Sequence, residues 1–338
     1  MFRTCSARHD RYRLTTPFRI SRGEKTAADV VTVEIAADGV IGRGEGVPYP
    51  RYGESIDGAL AEIETARGLI ESGGTRADLI GAMRAGAARN AIDDALWDWE
   101  ANRAGVSVAH LTGLPEPRAV ASAITIGLDT PDAMARAAGK IAGVPLLKIK
   151  VDRDGARDQI AAVRAAAPGP RLIVDPNESW TIDTVRVLAT LLVDARVDLL
   201  EQPLPAGEDG ALADWDAPIA ICADESLHTA RDLDMLRGRY THVNVKLDKT
   251  GGLTEALALT AIARARGFGL MVGCMVASSL GIAPALLLAG EADFVDLDGP
   301  LWLAEDWPDG VRDDCGMLHP PRAGFWGTPP PPPPPPPA

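Results

Sequence analysis

Three carboxylates and three lysines, far apart in the chain, occupy one recurring position at the end of a short apolar run. Asp175 closes RLIVD (171–175), Glu201 closes VDLLE (197–201) and Asp224 closes IAICAD (219–224). Lys148 and Lys150 close LLKIK (146–150), Lys246 closes HVNVK (242–246), and Asp296 and Asp298 close DFVDLD (293–298). Neighbouring carboxylates repel one another unless a cation lies among them. Hard oxygen ligands with no Cys or His nearby suit Mg2+, one ion per site, with part of its water retained. The plainer alternative is that each acid caps the following helix or pairs with a lysine.

Lys148 and Lys150 are separated by one residue, so on a strand they point the same way. A nearby cation or second ammonium disfavours a lysine's charged form and makes a neutral amine base available near neutral pH. Bases on opposite sides of one carbon can take a proton from one face and return it to the other. Removing a proton beside a carboxylate builds a dianionic enediolate, which a divalent ion and Lys148 would stabilise. Ordinary surface ion pairing is the alternative for these lysines.

Such groups need a scaffold that brings strand ends together. With ASAITIG (121–127) and GLMVG (269–273) the chain holds eight apolar runs, their ends 22 to 27 residues apart, with Ala- and Leu-rich stretches between them. That period fits strand–helix units on a parallel sheet, and eight in a row predict an α/β fold of modified (β/α)8 type. The C-terminal strand ends of such a barrel ring one mouth, where active sites lie. No GxGxxG follows a first strand, so a dinucleotide site has little support. The first third reads differently. Asp29–Ala36 alternates, Asp38-Gly39 signals a hairpin, and Val40–Gly46 follows, with helical stretches at Ile56–Ser72 and Ala85–Arg103. The expected organisation is an α+β capping domain at 1–118, joined by 300–328, a barrel at 119–299, and a disordered proline tail at 329–338.

The balance of 34 Lys+Arg against 47 Asp+Glu gives a net charge of −13, which argues against nucleic acid or an anionic membrane as partner. Cys5, Cys222, Cys274 and Cys315 form no CxxC pair and read as neither disulfide framework nor zinc site. The N-terminus lacks the apolar core of a secretory signal, and no run approaches the roughly 20 apolar residues of a membrane span. A cytoplasmic protein is the expectation. Pro329–Pro337 favours polyproline II and reads as a solvated tail or an SH3-type ligand. Gly251-Gly252 reads as a loop-to-helix turn or a phosphate cradle, Trp97 and Trp99 as helix packing, and the five histidines show no ligand spacing.

The pattern resembles the muconate-lactonising subgroup of the enolase superfamily. The local text LIVDPNESW (172–180), LLEQPLP (199–205), ICADES (221–226), VNVKLDKTGGLTEA (243–256), GCM (273–275) and DLDGPLWL (296–303) is similar to the dipeptide epimerases, in particular those acting on L-Ala-D/L-Glu. PFRISRG (17–23) and GEGVPYPRYGES (44–55) resemble them too. The resemblance implies a Mg2+-dependent isomerase that converts L-Ala-D-Glu to L-Ala-L-Glu in murein peptide recycling, acting on a small dipeptide, and leaves a homo-oligomer open. It implies Lys150 and Lys246 as the acid/base pair, serving the (R)- and (S)-centres respectively. Lys148 would hold the substrate carboxylate. Asp175, Glu201 and Asp224 would hold the metal, with Asn177 behind them. Asp296 and Asp298 would receive the free ammonium, and Thr125, Cys274 and Val276 would line the substrate. Arg19, Arg22 and Lys25 lie in the segment that closes over the site, with Arg22 favoured for the acidic side chain. The rivals are an o-succinylbenzoate synthase, an N-acylamino-acid racemase or a cycloisomerase of the same subgroup, and a catalytically silent metal-binding barrel.

Overall fold

The computed structural model describes residues 2–329, so the proline tail beyond Pro329 lies outside the described residues. The chain opens with an antiparallel sheet of β1 (Thr4–Ile20), β2 (Gly23–Ala37) and β3 (Val40–Gly46), in that order. The hairpin between β2 and β3 turns at Asp38 and Gly39, with φ of 52° and 78°. Left-handed geometry at both positions matches the twist of the flanking strands. β1 is absent from the sequence reading. Among its 17 residues only Cys5 is buried, so no apolar alternation marks it, and it is held by pairing with β2.

Helices α1 (Ile56–Glu71), α2 (Arg76–Ala82) and α3 (Ala87–Ala104) cover one face of this sheet. Val31, Val33 and Ile35 alternate inward and pack with Ile63, Leu79, Ile92 and Trp99. α3 stops at Gly105, whose φ of 68° makes it a left-handed cap. The glycines of VIGRGEG have a packing role. A Cβ on Gly42, Gly44 or Gly46 would overlap the carbonyl oxygens of Ala95, Ala91 and Ala87, so three glycines at period two seat β3 on one face of α3.

After β4 (Val120–Ala121) come eight parallel strands, each beside its chain neighbours. They are β5 (Ile124–Ile126), β6 (Leu146–Lys150), β7 (Arg171–Asp175), β8 (Leu199–Glu201), β9 (Ala220–Ala223), β10 (His242–Val245), β11 (Gly269–Gly273) and β12 (Phe294–Asp296). All eight fall inside the runs read from the sequence. The ring is drawn together where Ala123 donates its N–H to Val295 O at 2.8 Å and Leu297 donates to Ser122 Oγ at 2.9 Å. Ala123, Leu146, Ile173, Leu199, Cys222, Met271 and Phe294 fill its interior.

The helical layer is less regular than the period. Full helices follow β5, β6, β7 and β10, but β8 leads into PLPAGEDG and only a 3-10 turn at Asp209–Asp214. Beyond β11, Pro284 separates Ser279–Ile282 from Leu286–Ala289, because proline has no N–H to continue a helix. The strands β13 (Arg312–Asp314) and β14 (Met317–His319) then pair with each other, and β14 pairs with β4. Trp326 returns to the N-terminal unit and donates its Nε1–H to Arg43 O at 3.0 Å.

Gly251 and Gly252, with φ of 76° and 117°, form the turn between helices Leu247–Thr250 and Leu253–Ala265. A Cβ at either position would overlap Arg89 or Asp93 of α3, so the pair permits close approach of the two units.

Candidate active site

The charged strand ends converge. β6 is buried along its whole length, and both of its lysines turn into the barrel mouth. Lys148 Nζ lies 2.6 Å from Glu201 Oε2, 2.7 Å from Asp296 Oδ2 and 3.2 Å from Asp175 Oδ2. Lys150 Nζ donates to Asp175 Oδ2 at 2.5 Å. Lys246, directly after β10, donates to Asp224 Oδ2 at 2.8 Å. β6 and β10 are four strands apart in a ring of eight, so Lys150 and Lys246 stand on opposite sides of one opening. Both line a cavity of about 350 Å³, together with Lys148, Asn177, Asp224, Thr125, Cys274, Val276, Asp296 and Asp298.

The carboxylates feel this crowding. Burial raises Asp175, but Lys150 and Lys148 outweigh it and hold the acid down at about 2. Burial pushes Glu201 up to about 7, with the charge on Asp175 adding to it. Burial also acts on Asp224, yet Lys246 and Lys249 hold it well below the usual range. The lysines respond in kind. Burial disfavours their charge, but Asp224 raises Lys246, and Asp296, Glu201 and Asp175 raise Lys148. The surrounding carboxylates outweigh burial and, for Lys246, the charge of Lys148, so both amines keep their protons.

Among the described residues no three Asp, Glu, His or Cys side chains cage an ion directly. Ammonium groups stand between the three acids instead. The donor set nevertheless fits Mg2+. Asp175, Glu201 and Asp224 are 0, 0 and 2% exposed at three consecutive strand ends, and all offer hard oxygens. Glu201 Oε2 and Asn177 Oδ1 are buried and take no well-aligned hydrogen bond. Asn177 donates its backbone N–H to Asp175 Oδ1 at 2.8 Å and its amide to Oδ2 at 3.2 Å, which fixes that carboxylate.

Asp296 and Asp298 sit beside each other below Thr125. Thr125 donates its N–H to Asp298 Oδ2 at 2.7 Å. Burial, with Asp296 next to it, pushes Asp298 up to about 6. Arg22, from the β1–β2 tip, also lines the cavity, but both ends of its guanidinium are engaged. Nη1 donates to Asn177 O and Glu178 Oε2, each at 2.9 Å, and Nη2 to Glu225 Oε1 at 2.7 Å.

Three further residues shape the site without having been read from the sequence. Lys249 Nζ donates to Asp224 O at 2.5 Å, Asp224 Oδ1 at 2.7 Å and Asn244 O at 3.0 Å. Asn244 donates to Glu201 Oε1 at 2.8 Å, and Gln202 Oε1 accepts the Asp224 N–H at 2.8 Å. Period two would have exposed Asn244, which shares its strand face with Lys246. Lys249 sits on a helical turn, and Gln202 takes a φ of 32°, so neither follows a strand rule.

Residues 3–113 match the family model of the mandelate racemase / muconate lactonizing enzyme N-terminal domain, and residues 132–325 match the enolase C-terminal domain-like model. The chain belongs to the enolase superfamily. Within that superfamily it is 48% identical to the L-Ala-D/L-Glu epimerase of Escherichia coli K12 over 319 residues, 94% of this chain and 99% of that protein. It is 42% identical to an N-acetyl-D-glutamate racemase of a Pseudoalteromonas species, over 88% of this chain and 95% of that one. An Agrobacterium tumefaciens enolase family member with homology to dipeptide epimerases, solved with sodium and L-Ala-L-Glu and with an ordered loop, superposes with a TM-score of 0.94 at 48% identity. It covers 96% of this chain and 100% of its own. Other dipeptide epimerase structures contain Mg together with a dipeptide.

Proposed function

We propose that this enzyme is a Mg2+-dependent dipeptide epimerase that inverts the C-terminal residue of L-Ala-D-Glu to give L-Ala-L-Glu. The observation that carries this reading is the placement of Lys150 and Lys246 on opposite sides of one buried, carboxylate-lined cavity. A substrate α-carbon between them meets one amine on each face. Lys150 would exchange its proton with the (R)-centre and Lys246 with the (S)-centre. Each transfer leaves the carbon planar until the opposite ammonium returns a proton.

Lys148, already among four buried carboxylates, would meet the substrate carboxylate and offset the charge that grows on it. Asp175, Glu201 and Asp224 would hold the ion, with Asn177, Asn244, Gln202 and Lys249 fixing their oxygens. Mg2+, when bound, supplies a second positive charge at the substrate carboxylate and competes with the lysines for the acids that now hold their protons. Asp296 and Asp298 would receive the dipeptide's free ammonium, since two buried carboxylates side by side call for a cation. Thr125, Cys274 and Val276 would line the bound peptide. We read residues 1–118 with 300–328 as the cap and 119–299 as the catalytic barrel. We further infer a cytoplasmic role in murein peptide recycling, consistent with the absence of a membrane-crossing helix among the described residues.

The likeness to an N-acetylglutamate racemase supports a second reading, in which the substrate amine is acylated. Asp296 and Asp298 favour the dipeptide, because an acylated amine brings no charge to meet them. Incubating the enzyme with Mg2+ and L-Ala-D-Glu and resolving the epimers by chiral chromatography tests the proposal. Appearance of L-Ala-L-Glu supports it, and turnover of N-acetylglutamate with no dipeptide would replace it with the second reading.

A further inference from the structure

The two lysines that flank the cavity are not held alike. Lys150 is part of β6 and stands opposite Asp175 in the β6–β7 ladder, so strand pairing fixes its backbone. Lys246 is the first residue beyond β10, where the ladder has ended. Its backbone enters a single helical turn, Leu247–Thr250, and its carbonyl accepts the Lys249 and Thr250 N–H groups, each at 3.0 Å. The position of Lys246 therefore depends on what fixes that turn.

Helix α3 of the N-terminal unit fixes it. Asp248, in the middle of the turn, reaches toward that unit. Its Oδ1 accepts the Val47 N–H at 2.8 Å and the Asn90 amide at 2.9 Å. The same Asn90 nitrogen donates to Glu45 O at 3.0 Å, so the amide is locked between β3 and the turn. Arg89, one residue earlier on α3, donates to Thr250 O and, at 3.0 Å, to Gly251 O, where the turn ends. Asp93 accepts the Thr254 N–H at 2.9 Å just beyond it. Asp248, Asn90, Arg89 and Asp93 are all buried.

Nothing comparable reaches Lys150. Among the described residues, no hydrogen bond runs from residues 2–118 to β6 or to the turn that follows it. Proton transfer demands hydrogen-bond reach, and a misplacement of about 1 Å can cost roughly 100-fold. The grip of α3 thus bears on one amine and not on the other.

Building on the epimerase reading, we infer that Asp248 is a positioning residue for Lys246, anchored by Asn90, and that the N-terminal unit thereby sets the Lys246 half of the proton transfer independently of the Lys150 half. L-Ala-L-Glu carries the (S)-centre that Lys246 deprotonates on that reading, and L-Ala-D-Glu the (R)-centre of Lys150. Deuterium that enters the recovered starting epimer in D2O reports each half alone.

The experiment measures initial deuterium uptake into each recovered epimer, with Mg2+ present, for wild type, Asp248→Ala, Asp248→Asn and Asn90→Ala. Asp248→Ala removes the acceptor and lowers uptake into L-Ala-L-Glu about tenfold or more relative to uptake into L-Ala-D-Glu. Asp248→Asn keeps an oxygen for the Val47 N–H and holds the ratio near wild type. Asn90→Ala moves the ratio in the same direction as Asp248→Ala, and it decides the question where Asp248→Ala does not fold. Uptake that falls equally for both epimers, or a ratio unmoved by Asn90→Ala, overturns this inference while leaving the epimerase reading intact. A wild type that labels neither epimer overturns both.

Discussion

Lys150 and Lys246 face the same cavity from strands half a barrel apart, and each amine is held by a different buried carboxylate, Asp175 at 2.5 Å and Asp224 at 2.8 Å. On the proposed reading the two bases are thus paired with two of the metal ligands. A cation held by these acids would compete with the amines for them, and the predictions follow from that coupling.

Removal of metal should disarm the enzyme. A chelator in excess is expected to reduce epimerisation to background, with recovery on adding Mg2+. Binding should also be visible without turnover. Saturation at 100 times Kd stabilises a folded protein by about 2.7 kcal/mol. Mg2+ should therefore raise the Tm of the wild type and fail to raise that of Glu201→Gln. An equal rise in both would remove Glu201 from the ligand set.

Asp298 lies under Thr125 beside Asp296, where a free substrate ammonium would be met. Asp298→Asn keeps the shape and loses the charge. It should lower kcat/KM for dipeptides at least tenfold more than for N-acetylated amino acids, measured side by side. Equal losses would take the ammonium away from this pair.

The seam between the two units carries buried acids that resist ionisation. Glu45 accepts the Ser278 N–H at 2.8 Å and also bonds its hydroxyl, and burial pushes it from 4.5 up to about 8. A raised carboxylate pKa means that the folded state holds more protons than the unfolded chain between those values. Its contribution is complete below the unfolded pKa and is lost as pH rises through the folded one. Tm should fall from about pH 5 to about pH 8, between the unfolded and folded values, and Glu45→Gln should flatten the fall. Parallel curves for the two proteins would exclude Glu45 as the source.

Gly44 has no room for a methyl group, because the Ala91 carbonyl of α3 occupies that space and backbone cannot turn aside. Gly44→Ala should cost about 1–3 kcal/mol or more in urea unfolding, through overpacking. Gly39, where a Cβ meets nothing within 4 Å, has no such overlap, but its φ of 78° still penalises substitution. A Gly44→Ala protein as stable as wild type would show that β3 does not seat on α3 as described.

Most of the barrel was legible because burial on both faces turns each strand into an apolar run, so a charge at its end is conspicuous. Asp175, Glu201, Asp224 and the lysines stood out for that reason. β1 was illegible because its residues are largely exposed and its stability comes from backbone pairing, which leaves no side-chain pattern. The seat that Gly42, Gly44 and Gly46 make for α3 left no signal in the sequence, because their function is absence of bulk. Lys249 and Gln202 were missed because they act from a helical turn and a strained residue just past the strands, where no periodicity applies.

The most direct measurement is α-proton exchange in D2O, followed by NMR, for L-Ala-L-Glu and L-Ala-D-Glu with wild type, Lys150→Met and Lys246→Met. Two bases on opposite faces predict deuterium in both epimers with the wild type. Lys150→Met should label only the L,L-epimer, and Lys246→Met only the L,D-epimer, with epimerisation lost in both. Loss of exchange from the same epimer in both variants, or continued epimerisation in either, would contradict a proton relay across a single carbon.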